Sequence, residues 1–193
     1  MTFRTEAPAI CVQVRTTAAW LSFVWVIATA TSLGGAAELY SENAVKAAFL
    51  LRFCAYIDWP ADTPAQSQFT IAVLGSAAVE RELQRLLPGH SVDNRPVQVR
   101  TITKIEDLGS AQVLYLGKDF KGNLRTVSAA LAGRPVLIVS DSAGGLDEGS
   151  TVNFLLVDRR LRFEISLNAA ARSRLKMSSE LLSVAAHVQG RSS

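Results

Sequence analysis

The chain has 193 residues, 49% of them hydrophobic and 7% aromatic, with a formal net charge of +3. That length allows one domain with a substantial core, and the composition excludes a disordered or low-complexity body. The positive charges are scattered rather than gathered into a stripe, which argues against nucleic acid as a partner.

The first segment is a leader by pattern. Arg4 and Arg15 precede an apolar run from Ala18 to Ala30, and the small residues Ser32, Gly34, Gly35, Ala36 and Ala37 follow. A basic lead, a short apolar centre and a small-residue exit describe a secretory signal peptide. Counted to Leu33, the run is about 16 residues, short of the roughly 20 that a spanning helix needs. We therefore read residues 1–37 as a cleaved signal peptide and 38–193 as the mature domain, folded outside the cytoplasm. Cys11 leaves with the leader, so Cys54 is the single thiol of the mature chain. Its apolar surroundings predict a small buried side chain rather than a reactive one.

Residues 42–57 contain neither Gly nor Pro and predict a helix, with Ser41 as its cap and Pro60 as its stop. Val45, Phe49, Phe53 and Ile57 recur every four residues, and Leu50, Leu51 and Cys54 widen the apolar surface beyond one core-facing band. Such a helix is either sandwiched within the domain or meets another chain. Val45, Phe49, Leu50, Phe53 and Ile57, with Trp59 at the exit, are the candidate partner or dimer interface.

Next, Phe69–Leu74 predicts a strand covered on both faces, and the Gly75-Ser76 turn opens a helix carrying Val79, Leu83, Leu86 and Leu87. Strands follow at Val97–Thr103, Gln112–Leu116 and Pro135–Ser140, with a helix from about Asn123 to Ala132 between the last two. Thr151–Val157 and Leu161–Leu167 predict an antiparallel hairpin at the edge of the sheet. A final helix starts near Ser178 and packs through Leu181, Val184, Ala185 and Val188. Strand–helix alternation of this kind predicts an α/β single domain, a mostly parallel central sheet flanked by helices with an antiparallel C-terminal hairpin.

Catalytic patterns are missing from the sequence. His90 and His187 stand in no metal-ligand spacing, and Gly75-Ser76 has neither a dinucleotide nor a P-loop pattern. Ser142 lacks the preceding glycine of a nucleophile elbow, and the Asp141–Gly149 loop lacks the order of a calcium loop. The residues thus predict a binding protein that is not an enzyme and carries no metal or cofactor.

Several blocks together resemble the YfiR family: ENAVKAAFLLRFCAYIDWP, FTIAVLG, the Pro135–Ser140 strand with DSAGG, and FEISLNAAARSRLKMSSELLSVA. The resemblance implies a periplasmic negative regulator that binds an inner-membrane diguanylate cyclase (YfiN-like) and lowers cyclic di-GMP signalling in biofilm and motility. It also implies a homodimer, and an OmpA-like outer-membrane lipoprotein (YfiB-like) as a sequestering partner. A small-ligand pocket of that family maps to the neighbourhood of Arg52, Glu164 and Lys176. Well-known members carry disulfide-forming cysteine pairs, which a chain with Cys54 alone cannot form within itself. The competing reading is a periplasmic small-molecule-binding sensor module, since α/β layers bind ligands at strand ends.

Overall fold

A computed structural model describes residues 33–61 and 66–190. The predicted leader lies outside the described residues over 1–32. In chain order the elements are α1 (Leu33–Tyr56), β1 (Ile57–Asp58), β2 (Phe69–Leu74), α2 (Ala77–Leu86), β3 (Ser91–Val92) and β4 (Arg95–Thr101). A short 3-10 turn at Ile105–Leu108 precedes β5 (Val113–Leu116), α3 (Leu124–Ala130), β6 (Leu137–Ser140), β7 (Val152–Val157) and β8 (Arg160–Ser166). The chain finishes with α4 (Leu167–Arg172), β9 (Lys176–Met177), α5 (Ser179–Val184) and β10 (His187–Gln189).

The architecture is α/β. Eight strands form one sheet in the order β10-β8-β7-β6-β5-β2-β4-β3. Its centre, from β4 through β7, is parallel, and the β7–β8 hairpin is antiparallel. β1 and β9 pair separately, antiparallel. All six residues of β2 are buried because both faces of the sheet are covered. On one face Phe69, Ile71 and Val73 meet Leu50, Phe53 and Cys54 of α1, Val79 and Leu83 of α2, and Leu181 of α5. On the other, Ala72 and Leu74 join a second core with Leu108 and with Leu124, Val127 and Leu131 of the α3 region.

Local chemistry sets the helix starts. Ser76, Asn123 and Ser178 each accept a hydrogen bond from the backbone N–H three residues on, capping α2, α3 and α5. The first helix differs from expectation. It begins at Leu33, ahead of the predicted Ser41 cap: Ala36, Ala37 and Glu38 favour the extension, and it runs on through Gly34 and Gly35 against their low propensity.

The C-terminal edge also differs. The hairpin was expected to be the margin of the sheet, yet β10 adds to β8 in parallel register, with Val188 opposite Ile165. Backbone at Ala185 turns extended and ends α5, and the Ala186 N–H then donates to the Phe163 carbonyl at 2.8 Å. Val188 is therefore a strand residue, and Val184 is 55% exposed rather than packed inward.

Cys54 is buried, and its thiol donates to the Leu50 carbonyl at 3.1 Å. Burial in this apolar layer pushes the thiol pKa well above its ordinary value. Little thiolate forms, so a disulfide reagent such as DTNB is expected to leave native Cys54 unmodified and to react only after unfolding. Rapid labelling of the native protein would contradict this placement.

Candidate functional site

Two arrangements are candidates for function, an open apolar groove and a buried ion cluster. The groove runs between α1 and α5. It holds a cavity of about 240 Å³ lined by Phe49, Arg52, Phe53, Tyr56, Phe163, Glu180, Leu181, Ser183 and Val184. Its floor is aromatic: Phe163 meets Phe49 and Phe53 edge-on, with ring centroids 5.3 and 5.0 Å away. Phe154 closes the cluster against Phe53 at 5.9 Å. Arg52 stands on the α1 wall and Glu180 on the α5 wall, both exposed. The Glu180 carboxyl is held below its ordinary pKa by its own backbone N–H and by the Ser178 side chain at the start of α5. Tyr56 and Val184 leave apolar surface in water at the rim.

The six predicted interface residues divide. Leu50, Phe53 and Ile57 are at most 4% exposed and pack in the domain's own core, Phe53 at the groove's floor. The sheet covers more of the circumference of α1 than a single stripe, because β7 and β8 extend beneath its aromatic side. Val45 stays 38% exposed, and Phe49 is partly buried at the groove. Trp59 packs edge-on against Phe69 at 5.0 Å, and its buried indole N–H has no hydrogen-bond partner among the described residues.

The candidate ligand residues are not brought together. Arg52 lines the groove. Alternation along β8 puts Phe163 on the α1 side and Glu164 on the opposite face, where the Asn153 side chain donates to it at 2.9 Å. Lys176 sits on β9, opposite Asp58. The sequence marks Val184 only as a packing residue of the last helix and does not mark Tyr56, Glu180 or Ser183. The signal was present in α5, whose positions 180, 183 and 184 share one helical face.

The ion cluster lies at the carboxyl ends of β5 and β6. Lys46, 1% exposed, bridges Glu42 and reaches Asp141 at 2.6 Å. Lys118 holds the same Glu42 oxygen at 2.9 Å, and the Tyr115 hydroxyl donates to Asp141 at 3.3 Å. Burial raises the Tyr115 hydroxyl pKa, and the neighbouring Asp141 carboxylate adds to that rise. Glu42 is pushed up by burial but more strongly down by Lys46 and Lys118, and its net pKa lies below the ordinary value.

Open α/β sheets bind ligands at the strand ends where successive connections diverge, here between β2 and β5. That crevice is closed. A side chain on Gly117 would approach the Gly75 carbonyl oxygen to 2.3 Å, so the two loops touch through bare backbone. Among the described residues no cluster of His, Cys, Asp and Glu could hold a metal, and no helix is long and apolar enough to cross a membrane.

Comparison with curated proteins returns no match. Among solved structures, the chain is similar to the ABC domain in complex with L-Trp from Streptococcus pneumonia, at 10% identity and a TM-score of 0.45. The likeness covers 62% of this chain and 55% of that one. The sequence profile described as YfiR/HmsC-like matches residues 43–186, from the groove-lining part of α1 to the residue before β10. The chain therefore belongs to the YfiR/HmsC-like family.

Proposed function

We propose that the mature domain is a periplasmic regulator that binds and inhibits an inner-membrane diguanylate cyclase of the YfiN type, lowering cyclic di-GMP. The observation that carries this reading is the α1–α5 groove on a YfiR/HmsC-like domain, where Tyr56 and Val184 hold apolar surface in water above a buried aromatic floor. Exposed apolar surface gathered at one place and rimmed by charge is typical of protein-binding sites. The leader pattern of residues 1–37 supplies export. Homodimerisation, and sequestration by an OmpA-like outer-membrane lipoprotein of the YfiB type, belong to the same reading.

Deleting the gene is expected to raise cyclic di-GMP, and wild-type complementation to restore it. Tyr56→Ala combined with Val184→Asp should fail to restore it and should lose capture of the cyclase's periplasmic domain. Both positions are exposed, so stability should change by only about 0.5 kcal/mol. Unchanged cyclic di-GMP in the deletion strain would sink the proposal.

A further inference from the structure

The end of the β7–β8 hairpin stands clear of the sheet. β6 pairs with β7 only at Val152 and Asn153, and β10 pairs with β8 only from Glu164 to Ser166. Beyond those rungs the two strands pair with each other alone, out to Val157 opposite Arg160. Asp158 and Arg159 close the ribbon with φ of 50° and 60°, the backbone that a two-residue hairpin turn requires and that an arginine rarely adopts.

The tip combines two unusual exposures. Leu156 and Val157 are 55% and 41% exposed, among the largest such values for bulky apolar residues in the described chain. Arg159, Arg160 and Arg162 are exposed beside them, and among the described residues no carboxylate bridges any of the three. Asp158 is the one acid at the tip. Because β7 runs parallel to β6, the ribbon emerges at the carboxyl end of the sheet, the end that also carries exposed Lys121 after β5.

The geometry selects among partners. Leu156 stands opposite Leu161 on one face of the ribbon, and Val157 stands opposite Arg160 on the other. A protein laid against one face would cover Leu156 and leave Val157 in water, and one laid against the other would do the reverse. A lipid interface entered end-on covers both, with guanidinium groups reaching the phosphates. We propose that the β7–β8 tip docks on an anionic phospholipid surface. This surface is separate from the α1–α5 groove, and the contact would hold the domain near a membrane without spanning it.

The test uses the protein purified from the envelope fraction, with no cyclase present, so its outcome is independent of the groove's function. Vesicles of phosphatidylcholine containing about 30% phosphatidylglycerol should sediment the protein about tenfold better than phosphatidylcholine alone. High salt should weaken the binding. Arg159→Glu with Arg160→Glu, and separately Leu156→Ser with Val157→Ser, should each reduce partitioning about tenfold while leaving the melting temperature unchanged. Arg162→Gln, which leaves the turn intact, should give a smaller loss of the same sign. Equal binding to both vesicle types, or binding that all these variants retain, would overturn the proposal. Capture by poly-glutamate with vesicles left unbound would overturn it too, assigning the tip to an acidic protein.

Discussion

Replacing Lys46 by Met is expected to lower the unfolding free energy by ~3–5 kcal/mol, measured as a shift of the urea midpoint at unchanged slope. The methionine fits the space, so the loss is electrostatic. Lys46 is 1% exposed and lies between Glu42 and Asp141, whose side chains are 14% and 9% exposed. Without it, two shielded carboxylates face each other, with Lys118 bonded directly to Glu42 alone. Adding Asp141→Leu should recover part of the loss, since removing both partners is cheaper than stranding one.

The pH dependence has a definite sign. The folded-state pKa of Glu42 lies below its ordinary 4.5. Its contribution is therefore fully present above that pH and drains away as pH falls through the folded value. In Lys46→Met the acid limb attributable to Glu42 should flatten, because its main cation is gone. A variant as stable as wild type, with the same acid limb, would show that the cluster does not hold α1 to the sheet.

Phe53→Ala and Phe49→Ala are expected to part company, although the two residues look alike in the sequence. Phe53 is 0% exposed and packs on Phe154 and Phe163, so truncation leaves a cavity and costs ~3–5 kcal/mol. Phe49 is partly buried and borders the open groove. Its truncation forfeits aromatic contacts and part of the transfer term, roughly 1–2 kcal/mol, and should weaken cyclase capture more than stability. Thermal melts alongside pull-downs separate the two. Undiminished capture by a fully folded Phe49→Ala would place the binding face elsewhere.

Much of the fold is legible because local and long-range signals agree. The apolar run of β2 and the Ser76 and Ser178 caps each state a local preference that the tertiary structure keeps. The misreadings come where tertiary contacts decide. Val188 follows α5 at helical spacing, yet β8 offers it an open edge, and a three-residue strand carries no alternation to announce itself. On α1, the excess apolar surface is visible in the sequence, but how much of it the sheet covers depends on strands more than 90 residues later. Half of the Lys46 cluster is likewise readable, as the Glu42–Lys46 pair one helical turn apart, whereas Asp141 joins it only through the fold.

The floor beneath α1 also sets an order of assembly. Its aromatic side rests on Phe154 and Phe163, and its cation on Asp141, all from the last third of the chain. A polypeptide emerging N-terminus first thus brings out this apolar helix long before the floor that receives it exists. Contacts so far apart in sequence are slow to close, so the α1 floor is expected to complete only once β8 has arrived.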